Sequence, residues 1–167
     1  FFELPGIRWL TPTHGLATLH VWEIYEDTRR TLWLASENGL HRVVWNPEEP
    51  TSTPDVFVLT QRHGLPDDQV NTLVDDGRGF LWFGTDHGLA CAAESDLAAV
   101  AEGRTNRFHP LLFLEPDGLP THEIGGRLGH PTSCRSADGR LWFATDRGVA
   151  VVDPATVQRP ALPPCVN

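Results

Sequence analysis

The chain has no lysine and no methionine, and it carries one tyrosine and three cysteines in 167 residues. All 13 of its basic side chains are therefore arginines, set against 22 acids for a net charge of −9. They form no cluster. Nucleic-acid binding leaves a basic stripe on a protein, so no nucleic-acid partner is expected. The acidic balance favours solubility and opposes polyanionic partners. No apolar run is long enough to cross a bilayer, and no leader pattern is present, so this segment is expected to make no membrane contact. Cys91, Cys134 and Cys165 are widely spaced with no Cys-x-x-Cys pair, which removes the basis for a zinc or dithiol site. Three thiols, or one disulfide and a thiol, remain open. There is no Gly-x-Ser-x-Gly elbow, no phosphate-cradling loop and no His-x-x-His or Glu-x-x-His pair. No metal, cofactor or catalytic residue is expected.

What the chain does have is a segment that it repeats. Leu32-Trp33-Leu34-Ala35-Ser36-Glu37-Asn38-Gly39-Leu40 recurs as Leu81-Trp82-Phe83-Gly84-Thr85-Asp86-His87-Gly88-Leu89 and as Leu141-Trp142-Phe143-Ala144-Thr145-Asp146-Arg147-Gly148-Val149. Gly15-Leu16, Gly64-Leu65 and Gly118-Leu119 precede these copies. The Gly-to-Trp spacing is 18, 18 and 24 residues, and the tryptophans are 49 and 60 apart. The third copy thus carries six extra residues. They fall within 124–136, where Gly125-Gly126, Gly129 and Pro131 cannot continue a regular strand, and an inserted loop is expected there.

The stretches between the landmarks read as strands. His20–Glu26 and Gln69–Asp75 mix β-branched, aromatic and polar residues. Asp76-Gly77 and Asp138-Gly139 are hairpin dipeptides, and Asn38-Gly39 and His87-Gly88 close the next hairpin. Third strands follow at 40–45 and 149–153, and fourth strands at 55–60 and 107–114. The Ala-rich segment 94–102 reads as a short helix or a helical loop between the third and fourth strands. Four short antiparallel strands per unit of roughly 50 residues is the pattern of a β-propeller blade. The fold class is all-β, with about three four-stranded antiparallel blades forming a partial propeller. The boundaries read as an outer strand of a preceding blade at 1–13, repeats at 14–62, 63–116 and 117–156, and a Pro-rich exit segment at 157–167. Closed propellers have about four to eight blades, so an excerpt of a larger ring, or copies assembling into one, is expected. The missing methionine at position 1 fits an excerpt or a processed chain. Open sheet edges invite pairing, so partners are the remaining blades or another copy of the chain.

The second repeat, Gly64-Leu65-Pro66 through Asp75-Asp76-Gly77 to Leu81-Trp82-Phe83-Gly84-Thr85 and Gly88-Leu89, resembles the two-component regulator propeller repeat. The third matches at Asp117-Gly118-Leu119-Pro120 and Asp138–Thr145. The first departs most, with Ala17 in place of the proline and Thr28-Arg29-Arg30 in place of the Asp-Gly turn. The close of the third repeat and the prolines after it resemble the last blade of such sensors. The resemblance implies a noncatalytic, ligand-sensing propeller of a membrane-bound bacterial receptor. It would lie in the periplasm or outside the cell, and any kinase or cyclase output would lie beyond this chain. A small solute or oligosaccharide is the ligand the resemblance suggests. A protein-interaction or self-assembling propeller, and a propeller lyase, are the alternatives.

A residue present in every blade serves the repeat. Trp33, Trp82 and Trp142, with Gly39, Gly88 and Gly148, are therefore expected to be structural. Function is expected where the copies differ, on the loops entering the first strand and joining the second to the third. The candidate ligand-binding residues are His20, Asn38, Gln69, Asp86, His87, His122, Glu123, Arg127 and Arg147. His14 and His63 sit where the third repeat has Asp117, and turn formation accounts for them.

Overall fold

The structure is a computed structural model, and it describes residues 9–46, 48, 52–125 and 131–157. The expected outer strand at 1–13 lies largely outside this range, and its described part, 9–13, forms no strand. Arg127, Cys165 and nearly all of the Pro-rich segment also lie outside it.

Three antiparallel sheets follow one another along the chain. The first contains β1 (Val21–Glu26), β2 (Thr31–Ser36), β3 (Gly39–Val44) and β4 (Asp55–Leu59) in sequential order. The second contains β5 (Val70–Asp75), β6 (Phe80–Thr85), β7 (Gly88–Ala93) and β8 (Leu111–Phe113). The third contains β9 (Ser133–Arg135), β10 (Leu141–Thr145) and β11 (Gly148–Val152). Among the described residues the one α-helix, α1 (Glu94–Ala101), interrupts the second blade between β7 and β8, in the Ala-rich segment.

Ser133–Arg135 is the inner strand β9, paired with β10, and the loop expected within 124–136 lies largely outside the described residues. The fourth strand of the second blade is shorter than its sequence suggests, because Pro110 has no N–H to give a ladder.

The cores lie between the sheets. Trp33, Ala35, Leu40 and Leu59 of the first blade pack against Leu73, Leu81, Phe83 and Ala90 of the second. The other face of the second blade presents Trp82, Leu89 and Cys91 to Ile124, Leu141 and Phe143 of the third. Glycine or alanine follows the Leu-Trp-x triplet because the sheets approach closely there. A Cβ on Gly84 would lie 2.6 Å from Ile124 Cγ2 and 2.8 Å from Thr72 Cγ2.

Polar bonds cross the same interfaces. Glu23 Oε2 accepts from Leu73 N and from Thr72 Oγ1, both at 2.7 Å. Thr72 Oγ1 is also 2.7 Å from Ser133 Oγ, whose hydroxyl donates to Leu73 O at 2.9 Å. The three inner strands are thereby tied side to side.

The tryptophans show what a neighbouring blade does. Trp33 and Trp82 are 1% and 0% exposed, whereas Trp142, with no further blade beside it among the described residues, is 37% exposed. Val149 and Val151 share that uncovered face at 61% and 46%. Each turn before these strands is built on the residue six positions ahead of the tryptophan. Asp27 accepts from Arg29 N, Thr31 N and the Trp33 indole, and Ser136 accepts from the Trp142 indole. The second blade has Asp76 there, so the third has serine, and Asp138-Gly139 aligns with Arg78-Gly79 rather than with Asp76-Gly77. The first repeat keeps the aspartate but puts Arg30, at φ 63°, where the others have glycine.

Cys91 is buried and Cys134 exposed. Among the described residues no helix is long and apolar enough to cross a membrane.

Candidate functional site

Antiparallel pairing places the segment before each first strand beside the turn joining the second strand to the third. The register is Val21 opposite Ser36, Val70 opposite Thr85 and Ile124 opposite Thr145. All described candidate residues therefore stand at one end of the blades. Gly39 and Gly88 hold the turns at φ 115°, and a Cβ there would strike Leu59 O or Phe113 O of the fourth strand. Gly148, at φ 123°, has no fourth strand beside it among the described residues.

The candidates come together blade by blade. In the first, Glu37 accepts from Thr18 Oγ1 at 2.5 Å and pairs with His20 Nδ1 at 2.9 Å. The Thr18 bond, more than the His20 bond, holds the Glu37 carboxyl below its ordinary pKa. In the second, the equivalent Asp86 accepts from Asn71 Nδ2 at 2.8 Å and from Gln69 Nε2 at 3.4 Å. His87 Nδ1 is bonded to Asp67 Oδ2. In the third, the equivalent positions are Glu123 and Asp146, two acids.

The remaining candidates are less tied. His122 Nδ1 lies 3.7 Å from Glu115 Oε1, with both side chains more than half exposed. Asn38 and Arg147 use their backbone N–H groups in the turn, donating to Ser36 Oγ and Thr145 Oγ1. Arg127 lies outside the described residues. Sequence reading missed Asn71, which also donates to Ile124 O of the third blade at 3.2 Å. It lies inside a strand, so a search confined to loops passes over it.

Two further groups of side chains prove structural. His14, His63 and Asp117 each accept from the backbone N–H three residues earlier and close one-turn helices. His41 is fully buried; its Nε2 accepts from Ala17 N at 2.9 Å, and burial lowers its pKa. At the opposite end of the blades, burial raises the pKa of Glu94 and of the Tyr25 phenol, with Asp27 and Asp75 adding to both shifts. Arg135 lies 3.5 Å from Asp75 there. Burial dominates both shifts, which marks these groups as enclosed by packing. No group of three or more metal-ligating side chains occurs among the described residues.

An end built of short polar side chains on rigid sheets suits the binding of a solute by a few placed hydrogen bonds. The scaffold itself is a run of β-propeller blades. Within its second repeat, residues 64–87 match the model of the two component regulator propeller family. Solved structures share the fold. One is the extracellular domain assigned to hybrid two component system BT3049 of B. thetaiotaomicron, at TM-score 0.66 and 17% identity, covering 89% of this chain and 17% of that one. Another is the extracellular domain assigned to hybrid two component system BT4673 of the same organism, at TM-score 0.64 and 17% identity, covering 84% and 18%. The chain thus spans about a sixth of the length of these structures. No curated protein sequence matches the chain.

Proposed function

We propose that this chain is part of a ligand-sensing propeller in the periplasmic or extracellular portion of a membrane-bound two-component receptor, and that it is itself noncatalytic. The observation that carries the reading is the contrast between what the blades keep and what they vary. Trp33, Trp82 and Trp142 and the turn glycines recur, whereas one pair of positions at the loop end reads His20–Glu37, Gln69–Asp86 and Glu123–Asp146. A shared scaffold with a different polar pair on each blade presents an asymmetric rim to one solute. The propeller repeat at 64–87 and the folds of the two extracellular domains support the setting.

The uncovered face of Trp142, Val149 and Val151 supports a second element of this reading. The equivalent face of the second blade is covered by the third, so this one takes a further blade, from the rest of a larger ring or from another copy.

The test is a thermal-shift screen of the protein against neutral glycans, organic acids, amino acids and nucleosides. Stabilisation by one solute class, lost on Glu37→Gln or Asp86→Asn and without turnover of the solute, is expected. Stabilisation by none of them contradicts the ligand-sensing reading. Conversion of the solute contradicts the noncatalytic one.

A further inference from the structure

Among the described residues α1 occurs in the second blade alone. Its Leu97 and Val100 are buried in the core that the first two blades share, and Phe57 of β4 packs against that core. The helix thus leans on the outermost strand of the first blade. Between them lies an open pocket of about 360 Å³, lined by Phe57, Arg62, His63, Val100, Thr105 and Asn106. Gly103 also lines it, and a Cβ there would meet nothing within 4 Å. Both blades that form the pocket are described, so it is not the gap left by an absent neighbour. Its volume is at the lower end of small-molecule sites, which run from about 300 to 1,000 Å³.

The chain has 22 acids against 13 arginines, yet no described acidic side chain lines this pocket. Arg62 is exposed, and its guanidinium has no hydrogen bond or ion pair within the protein. His63 uses Nδ1 in its turn, accepting from Thr60 N at 3.0 Å, so the neutral ring carries its proton on Nε2. The His63 ring lies against Phe57, with centroids 5.3 Å apart and planes at 59°. The acid nearest in sequence is already matched. Glu102 Oε1 accepts from Arg42 Nη2 at 3.1 Å, and Oε2 accepts from Arg104 Nη2 at 2.7 Å. The Arg42 bond crosses from the first blade to the end of α1 and holds the start of the loop 103–106. Thr13-His14 and Pro116-Asp117 stand where the second repeat has Arg62-His63. The cation and the helix therefore come together at one blade junction.

We propose that this pocket is a second binding site, separate from the loop end, and that it takes a small aromatic monocarboxylate. The Arg62 guanidinium is a planar fork that matches a carboxylate, and His63 Nε2–H is a further donor beside it. The ligand ring lies against Phe57 and the Val100 methyls, where a flat apolar body gains most. One charge suits the site and two do not, because a second would be desolvated against Phe57 and Val100 without a partner. The occupant touches β4 of the first blade and the α1 loop of the second, so it braces their junction.

The experiment follows amide 15N–1H correlation spectra of the protein at pH 7 during titration with benzoate, phenylacetate and 3-phenylpropanoate. Phenylacetamide, acetate and inorganic phosphate are titrated in parallel. At least one aryl carboxylate should shift the amides of Phe57, Arg62, His63 and 103–106. Phenylacetamide and acetate should bind about tenfold more weakly, since each lacks one half of what the pocket reads. Arg62→Gln should weaken the aryl carboxylate about tenfold or more. Arg62 is exposed, so its loss spares the packing, and the spectrum of the variant checks the fold. Thr105→Trp should fill the pocket and abolish the shifts, which gives a second variant independent of charge. The proposal is overturned if no aryl carboxylate binds, or if Arg62→Gln binds it as well as the unaltered protein. Phosphate binding as tight as the best aryl carboxylate also overturns it, because the rings would then play no part. Shifts confined to 17–22 and 36–39 place the carboxylate at the loop end and overturn the pocket while the sensing reading stands.

Discussion

Trp82 and Trp142 occupy one repeat position in two environments, and replacing each with alanine should separate what the blade supplies from what its neighbour supplies. Trp82 is fully buried and stacks on Phe113 with centroids 5.4 Å apart and planes at 15°. Removing a buried tryptophan costs about 3–5 kcal/mol, and Trp82→Ala should fall in that range. Trp142 is 37% exposed, and its indole N–H bonds the half-buried Ser136 hydroxyl. Less apolar area leaves the core, so Trp142→Ala should cost about 2 kcal/mol or less. Urea unfolding at low protein concentration reads both losses, provided the slope with denaturant is unchanged. The Trp142→Ala loss should grow with protein concentration, because copies that cover the Trp142 face add burial there. Equal losses for the two variants at the lowest concentration would refute the reasoning, since the Trp142 face would then be covered within a single chain.

Three further outcomes follow from single residues. Arg30→Gly should stabilise the protein by roughly 0.5–1 kcal/mol in the same assay, because Arg30 holds a left-handed conformation that the other two turns give to glycine; a loss of stability would mean the arginine side chain matters more than its backbone. Glu23→Ala should cost about 1–3 kcal/mol by leaving Leu73 N and Thr72 Oγ1 without their carboxylate, and an unchanged midpoint would show that water replaces it. His41 has its pKa lowered from 6.5 by burial. Between that lowered value and 6.5 the unfolded chain binds the extra proton, so stability contributed by the neutral imidazole is present above about pH 6.5 and is lost as pH falls below it. Melting temperature should therefore drop more steeply from pH 7 toward pH 5 in the unaltered protein than in His41→Gln, and parallel curves would contradict this.

The parts of the fold that were legible are those written locally and repeatedly. The tryptophans, the turn glycines and the alanine-rich helix each announce a conformation within a few residues, and three copies check one another. The offset of Asp138-Gly139 was hidden because the same dipeptide suits two positions of one turn, and only the strand register separates them. The Glu23–Thr72–Ser133 contacts join residues 49 and 61 apart in the chain, a separation at which a single sequence carries no pairing signal. For the site, loop ends were legible as the place where copies differ, and the structure pairs His20 with Glu37 and Gln69 with Asp86 there. Asn71 was not, because a residue inside a strand looks like any other strand residue until its register is known.

Hydrogen exchange with and without the solute that stabilises the protein tests the central claim most directly, namely that function lies at the varied loop end and not in the repeated core. The account predicts added protection confined to segments 17–22, 36–39, 67–71 and 85–88. Protection centred instead on Asp27, Asp75 and Glu94, at the opposite end of the blades, would contradict it.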